Sequence, residues 1–459
     1  MEVFLKIIQL VLSLSLLVLV HELGHFMWAR FCKMRVDKFY LFFNPSFSIL
    51  RAKRIEGKWQ LSFFSSSVPE HWNEHPEKTE WGIGWLPLGG YCKIAGMIDE
   101  SMDKEQLKQE PKSWEYRSKP ARQRLGVLLG GVLNNLLLAF LIYAGILYTW
   151  GDNYLATKDA KYGIQCNDLA LELGFRHGDK ILAFDEQPVE QFIELQITLL
   201  RRQAKTATVL RGTDTLTFDI DQQYFPAMLQ PGMFELRFPF IVGNVPDSSH
   251  NVHAGLMVGD RIVAINDSSI FIRQDIKSLL KRYKGQEISV GIQRNDSLLY
   301  LTLLVNNEGE LGIMMSNRAD DFTFTQQEYS LLAAIPAGAV KGYNTVNNYL
   351  SELKLIFSPK TEAYKSVGSF ITIGKIFPGS WSWHAFWSIT AFLSIMLAVI
   401  NILPIPGLDG GHTLFVCYEL VTRRKPSDKF LEYAQIVGFI FLIAIMVLAF
   451  GNDIYRLFK

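Results

Sequence analysis

At 459 residues, 49% hydrophobic and 20% charged, the chain is long enough for several domains and is divided between apolar and aqueous surroundings. A formal net charge of +1 removes any reason to expect a nucleic-acid partner. Its four cysteines, Cys32, Cys92, Cys166 and Cys417, form no CxxC pair, which excludes a disulfide framework and a thiolate metal centre.

The first element, residues 1–31, carries an apolar run from Val3 to Trp28, long enough to span a membrane. The run exceeds a secretory h-region and no small-residue cleavage site precedes the next charges, so it reads as a retained helix. Near its end stand His21, Glu22 and His25, the HExxH arrangement. On a helix the two histidines share a face and can present both imidazoles to one metal, with Glu22 beside them. Each ionisable group at the centre of a spanning helix costs roughly 2.5–3.5 kcal/mol, so two histidines and a glutamate there imply a purpose. At 1.5 Å per residue His21 lies about 27 Å beyond Val3, near the far boundary of a hydrocarbon core about 30 Å thick, where water is within reach.

Residues 32–121 are more polar. His71 to His75 spell HxxEH, the inverted zincin pattern, but Pro69 and Pro76 bracket it and leave no room for the helix it needs. A membrane-associated β-hairpin is expected at about 80–96, in EWGIGWLPLGGYCKIAG. There Trp85, Leu86, Leu88 and Tyr91 among glycines suit either an apolar strand able to pair with an extended backbone or an ordinary packed loop. A second span follows at 122–150, a third at 385–412 and a fourth at 430–452. Arg30, Lys33 and Arg35, then Arg117, Lys119, Arg122 and Arg124, then Arg423, Arg424 and Lys425, mark one side as cytoplasmic. Both termini and the stretch between the second and third spans then lie on the other side.

That stretch contains a repeat. Gly174, Gly178, Asp179, Ile181 and Ala183 align with Gly255, Gly259, Asp260, Ile262 and Ala264, about one small domain apart. The second copy, AGLMVGDRIVAIND, resembles the signature of PDZ domains closely and the first more loosely, so tandem PDZ domains are expected at 155–235 and 238–310. Such domains capture peptide C-termini by strand addition, or here simply obstruct bulky proteins. Between 325 and 380, Val340, Tyr343, Val346, Leu350, Leu353 and Phe357 recur at helical spacing and predict an amphipathic linker, packed on the repeats or lying on the membrane.

A tetrahedral zinc site needs a third protein ligand beside two histidines. The segment Asn401 to His412, NILPIPGLDGGH, breaks the third helix with prolines and glycines, a disruption tolerated at membrane depth only where the backbone is buried in protein or lines a wet cavity. Asp409 sits in it. The first and third spans both run toward the cytoplasm, so Asp409 and the histidines reach the same face. A structural metal in a scaffold, or a metal path in a transporter, would also place such groups in a membrane.

HELGH on the first span, two PDZ-like copies and NILPIPGLDGG on the third together resemble the site-2 protease family, in particular its bacterial branch of regulators of sigma E protease. The likeness covers nearly the whole chain. It implies Zn2+ held by His21, His25 and Asp409, with Glu22 as catalytic base and Asn401 as a substrate contact. It also implies that Gly89, Gly90 and Tyr91, in the segment matching the family's membrane-embedded β-hairpin, touch substrate. Asn135 is a further expected substrate contact, although Gly131-Val132-Leu133-Asn134-Asn135 lacks the proline of the family's GPxxN motif and Gly368-Ser369-Phe370 replaces a GPI-like one. The fold expected is thus a multi-pass α-helical membrane protein with four transmembrane helices, two periplasmic PDZ-like α+β domains and a membrane-associated β-hairpin. Its partners would be the lipid bilayer and transmembrane protein substrates, with peptide C-termini at the PDZ domains, in a bacterial inner membrane.

Overall fold

The computed structural model describes residues 1–87, 89–97, 110–270, 272–316, 322–359 and 361–458, so Leu88 and residues 98–109 of the expected 32–121 segment lie outside the described residues. The chain forms two compact units, one comprising 1–151, 328–357 and 364–459, the other 152–327 and 358–363.

The first unit is built on apolar helices. Helices α1 (Glu2–Phe31) and α2 (Ala121–Trp150) contain the first two spans. After α3 (Leu331–Ile356) and α4 (Phe370–Ile376), α5 (Trp383–Ile402) forms the third. Helix α6 (Asp409–Thr422) precedes α7 (Asp428–Phe458), which contains the fourth, Lys429–Arg456. Trp381, Trp383, Phe386 and Trp387 cluster at the start of α5, and His384 meets Trp150 edge-on at 5.4 Å. Amphipathic rings gathered at helix ends are what a membrane interface selects.

The helices approach closely through small residues. A methyl group on Gly24 of α1 would fall 2.2 Å from the Gly130 carbonyl oxygen of α2, and one on Gly130 would fall 2.6 Å from the Gly24 oxygen. Such contacts replace the hydrophobic drive that lipid removes. Gln9 and Ser13, one turn apart, continue the buried stripe of α1 toward His21. Gln9 Nε2 donates to the Pro378 carbonyl at 2.9 Å, and Ser13 Oγ lies 3.0 Å from Thr390 Oγ1 of α5. The basic clusters gather at one end: Lys425 Nζ donates to the Arg117 carbonyl at 3.3 Å, and Arg124 Nη2 meets Glu419 Oε1 at 2.5 Å.

Three expectations change. The linker is a helix as expected, but it packs on α2: Val346 and Leu353 join the core there, Gly338 meets Ala144 and Gly342 the Phe140 ring, while Val340, Tyr343, Leu350 and Phe357 are exposed. Periodicity counted large apolar side chains and passed over the small ones that permit contact. The third span ends at Ile402, not 412, and Asp409 opens the next helix instead of lying inside the break. Gly410 and Gly411 make this possible, since a Cβ there would fall 2.1 Å from the Leu403 oxygen and 2.5 Å from the Ile405 oxygen.

The 80–96 segment is no self-paired hairpin. Strands β1 (Val36–Leu41), β2 (Phe43–Ile55), β3 (Lys58–Ser65), β4 (Glu80–Leu86) and β5 (Tyr91–Ile94) form one sheet in the order β3-β2-β4-β1-β5. Strand β1 lies between β4, to which it is parallel, and β5, to which it is antiparallel. The local turn signal was correct, but the partner came from earlier in the chain. Gly82 admits the Tyr40 ring, which a Cβ would meet at 2.2 Å, so β1 can lie against β4. The HxxEH segment is a short 3-10 turn, Glu70–Glu74, with His71 Nε2 2.6 Å from Gln60 Oε1.

In the second unit the repeat extends to whole modules. Each has a first strand (Ile164–Cys166; Phe240–Asn244), a strand after the Gly-Asp turn (Lys180–Phe184; Arg261–Ile265) and a helix (Leu195–Arg202; Arg273–Leu280). A hairpin follows (Thr206–Arg211 with Asp214–Asp219; Glu287–Arg294 with Ser297–Leu304), then a last strand antiparallel to the first (Phe234–Leu236; Met314–Met315). The second module therefore runs a few residues past 310. The turn aspartates are buried and equivalently paired: Asp179 accepts from Arg211 at 2.8 Å and from the Arg176 N–H, Asp260 from Arg294 at 2.6 Å and from the Met257 N–H. Strands Asp152–Leu155 and Phe324–Gln327 pair antiparallel at the ends of this unit, which sequence reading missed.

Candidate metal centre

The HExxH spacing brings His21 and His25 to one buried face of α1, where it meets α2. Along the facing side of α2 stand Val127, Gly131 and Asn135, also four residues apart, and the two helices run antiparallel there. His25 Nδ1 lies 2.8 Å from the Val127 carbonyl, which only accepts, so Nδ1 carries the proton and Nε2 keeps its lone pair. Gly131 faces both imidazoles: a Cβ there would fall 2.6 Å from His21 Cε1 and 2.6 Å from His25 Nε2. That glycine was noted only for a missing neighbour, and nothing in the sequence marked it as the floor of the site.

The helix break delivers the third group. Asp409 Oδ2 is 3.1 Å from His21 Nε2 and 3.3 Å from His25 Nε2, and the two Nε2 atoms are 3.2 Å apart. With zinc–ligand bonds of about 2.0 Å, the edge of a tetrahedron is about 3.3 Å. The triangle therefore has the dimensions of one face of a zinc tetrahedron, and its two imidazoles and one carboxylate are a donor set that zinc takes. Asp409 Oδ2 is buried with no hydrogen-bond donor. Lone pairs crowded in this way repel one another unless a cation lies among them. No other grouping of this kind occurs among the described residues.

A cavity of about 710 Å³ opens beside the triangle, and Glu22, Asn401, Gly89, Gly90 and Tyr91 all line it. The backbone of Cys92 hydrogen-bonds the Glu22 carboxylate, tying α1 to strand β5. Tyr91 is fixed by stacking on Tyr40 at 5.1 Å and by donating to Asn44 Oδ1 at 3.0 Å. Lys38, Lys93, His412 and Gln435 also reach the wall and were not expected there, apart from His412 as a neighbour of the break. Asn135 is 0% exposed and is not among the residues lining the cavity; its amide nitrogen lies 3.4 Å from His21 Nδ1. Its neighbour Asn134 instead reaches the Val20 carbonyl at 3.4 Å.

The family model described as "Peptidase family M50" matches residues 9–68 and 66–445. The chain belongs to peptidase family M50. This M50 protein is a zinc metalloprotease, and among the described residues it has four helices long and apolar enough to cross a membrane. It is 27% identical to a Treponema pallidum protein named "Putative zinc metalloprotease", over 99% of each chain. It is equally similar, at 27%, to a protein of the same name from Xylella fastidiosa, over 97% of each. It is 26% identical to the "Regulator of sigma-E protease RseP" of Escherichia coli, over 97% of this chain and 98% of that one. The M50 match spans both HExxH on α1 and the Asp409 break, the two segments that meet at the triangle.

Proposed function

We propose that this protease cuts peptide bonds inside transmembrane segments of other membrane proteins, as a step of regulated intramembrane proteolysis in a bacterial inner membrane. The observation that carries this reading is the convergence of His21 Nε2 and His25 Nε2, on a helix long and apolar enough to cross a bilayer, with Asp409 Oδ2, which opens the short helix after the third such span, beside a cavity that also holds Glu22. His21, His25 and Asp409 would hold the metal. Zinc bound there supplies Lewis acidity toward the scissile carbonyl and toward water. Glu22 takes a proton from the attacking water and returns it to the leaving amine, as general acid-base catalysis requires.

A helical substrate must first expose its backbone. Gly89, Gly90 and Tyr91 lead into β5 at the end of the sheet and on the cavity wall, where an extended segment can lie alongside, and Asn401 faces it from the end of α5. The two repeat modules are PDZ domains, which the element order shared by both copies supports. They filter access, either by holding a peptide C-terminus or by excluding bulk. The charge clusters favour a periplasmic position for both termini and both modules, with the active site near the cytoplasmic boundary. The resemblance to the site-2 protease family suggests already shortened anti-sigma factors, or remnant signal peptides, as substrates.

The test is Glu22→Gln in purified protein, with a model transmembrane substrate and metal analysis. Zinc should stay bound while cleavage falls about 10²–10⁴-fold. Cleavage at the native rate, or zinc fully retained in His21→Ala, refutes the assignment.

A further inference from the structure

The reading of His21 and His25 as metal ligands leaves a question about protons. Each imidazole binds a metal through a lone pair, so the other ring nitrogen must carry the hydrogen, and a buried N–H needs an acceptor. His25 has one in the Val127 carbonyl. For His21 the group at hand is Asn135, whose amide nitrogen lies 3.4 Å from Nδ1 while its oxygen is buried without any partner. In that orientation the amide donates to Nδ1, which pushes the His21 proton to Nε2, the atom facing Asp409 and His25. A half-turn of the amide, between two shapes nearly alike, resolves both faults: Oδ1 accepts from Nδ1–H and Nε2 is freed.

We infer that Asn135 is a positioning residue that holds His21 in the Nδ1–H form and so keeps Nε2 available to the metal. The inference rests on the metal-centre reading above. Its geometric support is the register of the two helices. Val127, Gly131 and Asn135 on α2 share the four-residue spacing of His21 and His25 on α1, so one acceptor stands behind each imidazole and a glycine lies between them. The backbone of Asn135 is itself held, its carbonyl accepting from Ser394 Oγ of α5 at 2.8 Å. The side chain is fully buried, so its polarity has no use in solvent.

The experiment measures zinc affinity of the full-length protein by chelator competition, for the native protein and for Asn135→Asp, Asn135→Leu and His21→Ala. Aspartate keeps an acceptor and leucine keeps only the bulk. The expected order is native and Asn135→Asp close together, with Asn135→Leu about 10–100-fold weaker. A purely packing role reverses this order, because a buried carboxylate disturbs packing more than leucine does. Zinc affinity equal to native in Asn135→Leu, or weaker in Asn135→Asp than in Asn135→Leu, overturns the inference. If Asn135→Leu does not fold, a weakened Asn135→Asp overturns it and a native-like one upholds it. Undiminished zinc in His21→Ala would overturn the metal-centre reading itself, which separates the two failures.

Discussion

Gly131 offers the most direct test of how tightly the centre is built. In Gly131→Ala the new methyl would fall 2.6 Å from His25 Nε2, 2.6 Å from His21 Cε1 and 2.8 Å from His21 Nδ1. Ordinary van der Waals contact begins near 3.4 Å, so relief requires a movement of roughly 0.8 Å in both imidazoles or in the separation of α1 and α2. Separation is resisted by the Gly24–Gly130 contact one residue away, where backbone already meets backbone. The strain of overpacking is about 1–3 kcal/mol, and because it is relieved by turning the ligands, it should appear in zinc affinity as a loss of about 5–150-fold. Gly145→Ala on the same helix is the control, since nothing lies within 4 Å of its Cβ. Chelator competition on both variants in detergent, with cleavage measured in parallel, reads the difference. Native zinc affinity in Gly131→Ala would show that α2 does not form the floor of the site.

The Arg124–Glu419 pair, both side chains largely buried, ties α6 and its Asp409 to α2; Arg124→Ala should destabilise the protein by about 3 kcal/mol, with partial recovery on exchanging the two charges, as thermal unfolding in detergent would record. In the second repeat module, burial pushes the Asp260 carboxyl up, but the hydrogen bonds from Arg294 and the Met257 N–H outweigh it and leave it below its usual range. Its contribution is therefore present above the ordinary carboxylate pKa and lost as pH falls through the lowered value. The hydrogen-exchange protection of residues 240–315, corrected for the intrinsic pH dependence of amide exchange, should fall on acidification in the native protein and already at neutral pH in Arg294→Ala. In Glu22→Gln, cleavage should fall while zinc content and melting temperature stay close to native, because the substitution alters acid-base chemistry and leaves the three ligand atoms in place.

Much of the centre was legible because its parts are local. His21 and His25 share a helical turn, and the two prolines and three glycines on either side of Asp409 announce the break whatever surrounds them. The sheet was harder. Glycines and Pro87 between two apolar runs are the same signal whether the strands pair with each other or with a third, and β1, some forty residues earlier, decided the matter. For α3 the apolar spacing marked Val346 and Leu353, which join the core, but not Gly338 and Gly342, whose small size lets the helix approach α2 while Val340 and Tyr343 stay exposed. Asn135 carried a motif but no direction, and an amide reads alike whether it faces a substrate or the back of a ligand.

By itself the sequence determined the number of spans, the repeat, the candidate donor residues and the chemistry they permit, since each depends on composition and on spacing along a single helix or turn. The tertiary structure alone decided that Asp409 begins a helix and completes a triangle with 3.1–3.3 Å sides, that Gly131 lies beneath it and that Asn135 stands behind His21. Those relations join residues more than a hundred positions apart. They are set by how closely two glycine-faced helices pack, which no local pattern encodes.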